Sequence, residues 1–175
     1  MKKVDNITVD EFFKAGASEG HQLLFEWLNG KNEFNGASAD LEALTFAEVS
    51  TIKQILNDPT IEGYISLYEI CYKQTPEAFL QGKIIEFAQS NRYILDYVKN
   101  LTDTEARLLV CEPDPKWEQA GGGQMNMFGD LTAMIQIGEQ FGLPPREVGN
   151  WKYSDVFAVM YFNLILSGVQ KKYYK

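Results

Sequence analysis

The chain has 175 residues, 45% of them hydrophobic and 13% aromatic, with a formal net charge of −8 and a pI near 4.7. That length buries a sizeable core without disulfides or metals, and that apolar share excludes a disordered chain. The acidic balance argues against a phosphate backbone or an anionic lipid surface as ligand.

The first residues, "MKKVDNITVDEFF", carry two lysines, but Asp5, Asn6 and Asp10 interrupt any apolar run, so no secretory signal is expected. Thr8 with Glu11 forms a capping-box pattern that marks a first helix start. Ser18 is a candidate cap for a second helix carrying His21, Leu24, Phe25 and Leu28 and ending at Asn29-Gly30. Residues 31–43, "KNEFNGASADLEA", read as a polar loop. Thr45 with Glu48 repeats the capping box, and Phe46, Val49, Ile52, Ile55 and Leu56 then share one helical face. "YISLYEICY" continues a helical pattern of Ile61, Tyr64, Ile65, Tyr68 and Cys71 and is read as helix rather than strand. In "TPEAF", Thr75 caps and Pro76 occupies the first turn, where its missing donor costs nothing. Phe79, Ile84, Phe87 and Ala88 extend the apolar stripe, and Thr102 with Glu105 marks a further start, with "ARLLVC" read as helix after it.

Between Glu112 and Gly123 the pattern breaks in "EPDPKWEQAGGG". Two prolines and three glycines predict a linker over residues 112–125 between a helical body, 1–111, and a smaller helical unit, 126–175. The second unit is expected to hold a helix from Asn126 to Phe141, with Leu131, Met134, Ile135 and Gly138 on its core face, and a last helix from Ser154 to Gly168. The corner between them, "FGLPPREVGNWKYSDVF", closes one helix at Gly142 with a positive φ, blocks its continuation with Pro144 and Pro145, and uses Ser154 as the next cap. No run is long and apolar enough to cross a bilayer; the longest, Val156 to Leu166, contains Asn163. The expectation is an all-α protein, a helical-bundle body with a smaller C-terminal helical unit.

Chemistry is thinly represented. The single histidine, His21, has no Gly-x-Ser-x-Gly elbow near it, and Cys71 and Cys111, forty positions apart, have no zinc-site spacing and fit a reduced cytoplasmic chain. "AGGGQMN" lacks the Lys-Ser/Thr of a phosphate-binding loop. No catalytic residue, metal or cofactor is expected; the rival is a hydrolase or transferase built on His21 and acidic residues, which requires a cleft with His21 facing it. Contact chemistry is richer. Trp117, Met125 and Met127, with Phe128, place large adaptable side chains beside the glycine run, and Trp151 and Tyr153 form a rigid aromatic pair at the corner. These five, Trp117, Met125, Met127, Trp151 and Tyr153, are the candidate partner-binding residues. The competing reading makes Met127 and Phe128 the start of the next helix's core face and packs Trp151 and Tyr153 with the corner onto the body. "VQKKYYK" adds local positive charge to an acidic chain.

A helical body, a loop, the segment "GDLTAMIQIGEQFGLPPREVGNWKYSDVF" and an aromatic-rich last helix together resemble the small tail assembly chaperones of tailed bacteriophages and prophages. The pattern is carried by Phe141, Gly142, Pro144, Trp151, Tyr153 and Asp155 over the last fifty residues, and by size and helicity before them. The resemblance implies a non-catalytic protein of the bacterial host cytoplasm. Such a protein holds the tape-measure protein in solution, recruits tail-tube subunits, and is absent from the finished particle. It also implies a longer frameshifted form, for which Lys171-Lys172 is a candidate slippery site. The alternatives are a structural head or tail component, or another helical adaptor. Self-association is left open, with no nucleic acid or membrane partner expected.

Overall fold

The computed structural model describes residues 6–16, 28–110 and 115–174. Its helices are α1 (Val9–Ala15), α2 (Phe46–Asn57), α3 (Ile61–Tyr72), α4 (Pro76–Gln81), α5 (Ile84–Leu108), α6 (Pro115–Gln119), α7 (Asp130–Phe141), α8 (Pro145–Gly149) and α9 (Tyr153–Tyr173). Two 3-10 turns, Leu41–Ala43 and Gly122–Phe128, complete the set. Among the described residues only isolated bridges pair extended backbone, and no strand forms. The protein is all-α. Two compact units emerge: Met1–Leu41 with Ile52–Thr102, and Glu42–Thr51 with Asp103–Lys175. This division is drawn differently from a body of 1–111 followed by a unit of 126–175.

The first unit is organised around aromatic rings. At Thr8 the capping box closes in both directions, the hydroxyl accepting from the Glu11 amide and the Glu11 carboxylate accepting from the Thr8 amide, each at 3.2 Å. The chain beside it is tied down by Val9 N donating to the Gly82 carbonyl and Ile84 N to that of Ile7, both at 2.9 Å. On α3, Tyr68 meets Phe34 edge-on at 4.6 Å and lies 4.7 Å from Phe79, 5.3 Å from Tyr72 and 5.5 Å from Phe87. Its hydroxyl donates to the Phe87 carbonyl at 3.0 Å and sits 2.6 Å from Ser90 Oγ, which itself donates to the Glu86 carbonyl. A buried phenol is thereby satisfied, which keeps its desolvation cost low.

Tyr72, equally enclosed, has no hydrogen-bond partner for its hydroxyl. Burial first, then the neighbouring Cys71 thiol, pushes the Tyr72 phenol well above its ordinary value; Tyr68 is raised by burial as well. A phenol whose folded pKa lies above its unfolded one, about 10, contributes stability that is complete below that pH and is lost as pH climbs toward the folded value. Tyr72→Phe is therefore expected to stabilise at neutral pH by about 1 kcal/mol, since it removes an unsatisfied buried hydroxyl. The same change should flatten the alkaline fall in stability. Urea melts at pH 7 and above pH 10 check both, and a destabilised variant at pH 7 overturns the assignment.

Several expectations need correction. Residues 31–43 form a loop, yet Phe34 in its middle is fully buried and Ala39 and Leu41 are buried too, so the loop supplies core. Thr102 does not start a helix: α5 runs unbroken from Ile84 to Leu108. A capping side chain gains energy only where backbone donors are free, and nothing in residues 84–101 breaks the ladder that occupies them. The 112–125 linker is replaced, over its described part, by α6 and the 3-10 turn. Ser154 lies inside α9, whose cap position is Lys152 with no side-chain bond, and the helix continues past Gly168 to Tyr173. Ser18, His21, Leu24, Phe25 and Cys111 lie outside the described residues.

Candidate protein-binding surface

The second unit is where the candidate contact residues fall, and its corner explains their placement. α7 ends at Gly142, φ +69°, a left-handed conformation that an L side chain rarely adopts. Leu143 N then donates to the Gly138 carbonyl at 2.8 Å, six residues closing on one, which satisfies an end-of-helix acceptor. Pro144 and Pro145 turn the chain into α8, a single short helix. From there the backbone is clamped to the segment before α2: Phe46 N donates to the Trp151 carbonyl at 2.9 Å, and Tyr153 N to that of Leu44 at 3.0 Å. Thr45, between them, carries the second capping box with Glu48.

That clamp settles the aromatic pair. Tyr153 is buried, stacks on Phe46 at 6.0 Å and on Phe157 at 6.1 Å, and its hydroxyl donates to Glu105 Oε1 at 2.5 Å. Its ring is committed to the unit's own core. Trp151 is half-buried and packs edge-on against Phe141 at 5.4 Å, 71° between planes. It stiffens the corner and keeps part of its surface in solvent.

The other three candidates are open to solvent. Trp117 is 55% exposed and lies over Gly122, where an added Cβ would fall 2.0 Å from its Nε1. Met125 and Met127 stand on the 3-10 turn, with Met127 79% exposed. The structure therefore does not bring all five into one patch.

It also exposes apolar residues that the sequence reading put elsewhere. Leu131 and Ile135 were expected on the core face of α7 but are exposed; Gly138, expected there with them, is buried, and so is Ile137. Phe128, Leu131 and Ile135 thus continue the apolar character of the methionine turn along α7. The larger omission is α9. After Tyr153 and Val156, which are buried, its outer portion leaves Phe162, Leu166, Val169 and Tyr173 exposed at spacings of four, three and four, the seam of a helix that packs on another helix. Val169 is 58% and Tyr173 81% exposed. Single exposed apolar residues are ordinary, but a run at helical period marks a contact surface.

Polar chemistry offers little to compete with this. Among the described residues no group of three or more His, Cys, Asp or Glu converges to hold a metal ion. Among them, too, no helix is long and apolar enough to cross a membrane. No protein-family model, curated protein or solved structure matches the chain.

Proposed function

We propose that the protein is a non-catalytic binding protein of the tail assembly chaperone type, which keeps a long helical tape-measure protein in solution in the bacterial cytoplasm and recruits tail-tube subunits to it. The observation that carries this reading is the exposed apolar seam of α9 on an acidic, all-helical chain. A seam of that period covers the apolar stripe of an amphipathic helix, and the net negative charge of the chain as a whole keeps the pair soluble. The methionine turn supplies a second, adaptable contact, because thioethers fill irregular gaps at little rotameric cost.

Co-expression with a tape-measure protein encoded beside this chain is expected to render that partner soluble and to recover both in one complex. Met127→Asp, at an exposed position, should reduce the recovered partner without lowering the thermal stability of the free chain. A partner that stays insoluble and unbound overturns the reading in favour of a structural component, which would be detected in purified particles.

A further inference from the structure

Beside the exposed seam of α9 lies a groove of about 690 Å³, formed with the end of α5. Leu108, Val110, Tyr161, Ile165 and Val169 supply apolar walls, and Arg107, Lys171 and Lys172 stand among them. Tyr161, Ile165, Gly168 and Lys172 recur at four, three and four positions, one step round the helix from Phe162, Leu166, Val169 and Tyr173. The two rows lie about 100° apart round the helix, and Val169 belongs to both groove and seam.

Its charge is opposite to that of the chain. Among the described residues no carboxylate lines the groove, and Arg107, Lys171 and Lys172 make no ion pair with any of them, in a protein of net charge −8. Cations beside an apolar channel are complementary to an anionic occupant with an apolar stripe.

We propose that this groove docks an amphipathic helix of a partner protein that carries acidic residues beside its apolar stripe. The proposal rests on reading the chain as a binding protein and names the chemistry of the partner at one face. A second copy of α9 does not meet the requirement. Asp155, in the first turn, is the sole carboxylate of α9, and from Val156 to Lys175 the sequence contains no Asp or Glu, so a pairing of two copies through Phe162 to Tyr173 offers Lys171 and Lys172 nothing of opposite sign. An anionic membrane is disfavoured by the net charge and by the concave shape.

Gly168 gives a clean test, because it lines the groove and an added Cβ there meets nothing within 4 Å. Gly168→Phe should leave the fold intact and fill the groove. The probe is a designed helical peptide with leucine at its seam positions and glutamate flanking them, titrated into the full chain by fluorescence anisotropy. A charge-reversed peptide with lysine at the flanks is the control. The glutamate peptide is expected to bind at least about tenfold more tightly than the lysine peptide, two or three partly screened ion pairs giving that ratio. Lys171→Glu with Lys172→Glu should reverse the order, and Gly168→Phe should abolish binding with an unchanged thermal melt.

Equal affinity for both peptides overturns the proposal, as does binding that survives Gly168→Phe. Capture of phosphatidylglycerol vesicles in preference to the peptide assigns the face to membranes, and a concentration-dependent dimer lost in Gly168→Phe assigns it to self-association; either result also overturns it. The tape-measure pull-down is scored separately. A tape-measure complex retained by Gly168→Phe removes the groove and keeps the chaperone reading, whereas selective peptide binding without tape-measure recovery does the reverse.

Discussion

Replacing Tyr68 with alanine is expected to destabilise the protein by about 3–5 kcal/mol, the range for deleting a fully buried aromatic side chain. The ring touches Phe34, Phe79, Phe87 and Tyr72, so its removal leaves a cavity that four elements would have to move together to fill. Domains of this size have total stabilities of about 5–15 kcal/mol, so the loss would be a large fraction of the whole. Tyr68→Phe separates packing from hydrogen bonding: it keeps the ring and deletes the bond to the Phe87 carbonyl, at a cost of about 1 kcal/mol. Denaturant melts of both variants check the pair. A loss below about 1 kcal/mol for the alanine variant would contradict the role of Tyr68 as the centre of this core.

The second large effect belongs to the corner. Gly138→Ala normally favours a helix by about 1 kcal/mol. Here the added Cβ would sit 2.6 Å from the Leu143 carbonyl oxygen, closer than a real contact allows. That oxygen cannot retreat easily, since Leu143 is hydrogen-bonded back to Gly138 and followed by two prolines. Steric strain outweighs propensity, and the expected net loss is about 1–3 kcal/mol. Because α7, α8 and the clamp on Phe46 meet at this turn, near-ultraviolet dichroism from Trp151 and Phe141 should change with it. A variant as stable as the parent, with an unchanged spectrum, would show that the turn relaxes freely.

These two residues show what was legible beforehand. Tyr68 falls on the apolar face of a clear helical pattern, and Gly142 with Pro144 and Pro145 marks the corner by backbone chemistry alone. Identical local signals fared differently elsewhere. Thr45 with Glu48 and Thr102 with Glu105 share one pattern, yet only the first caps a helix, because the second lies in a segment already helical. Local chemistry states what a residue can do at a helix start, not whether a start is there.

Helical phase was the other gap. α7 carries apolar side chains on more than one face, so periodicity identified the helix and placed Gly138 inward, but set Leu131 and Ile135 with it where Ile137 is the residue covered. The same ambiguity hid the exposed apolar run of α9. Phe162, Leu166, Val169 and Tyr173 have the spacing of a core stripe, and sequence alone does not tell a stripe covered by its own chain from one left for another. The exposed aromatic and thioether residues Trp117, Met125 and Met127 were readable because they flank glycines. Tyr153 looked equally available, but its backbone clamp and its bond to Glu105 turn it inward.

From Ile165 to Tyr174 every residue of α9 and its end is exposed. Tertiary burial, the main source of helical stability in short segments, is thus concentrated in the first turns around Tyr153 and Val156. The outer turns are therefore the part of α9 expected to open first, and a docking partner would supply about 1–2 kcal/mol for each residue it had to fix. Affinity at this face will understate the area it buries. An arm that opens readily sweeps a larger capture radius than a rigid one, so substitutions in these outer turns are expected to change the association rate of a docking partner as well as the lifetime of its complex.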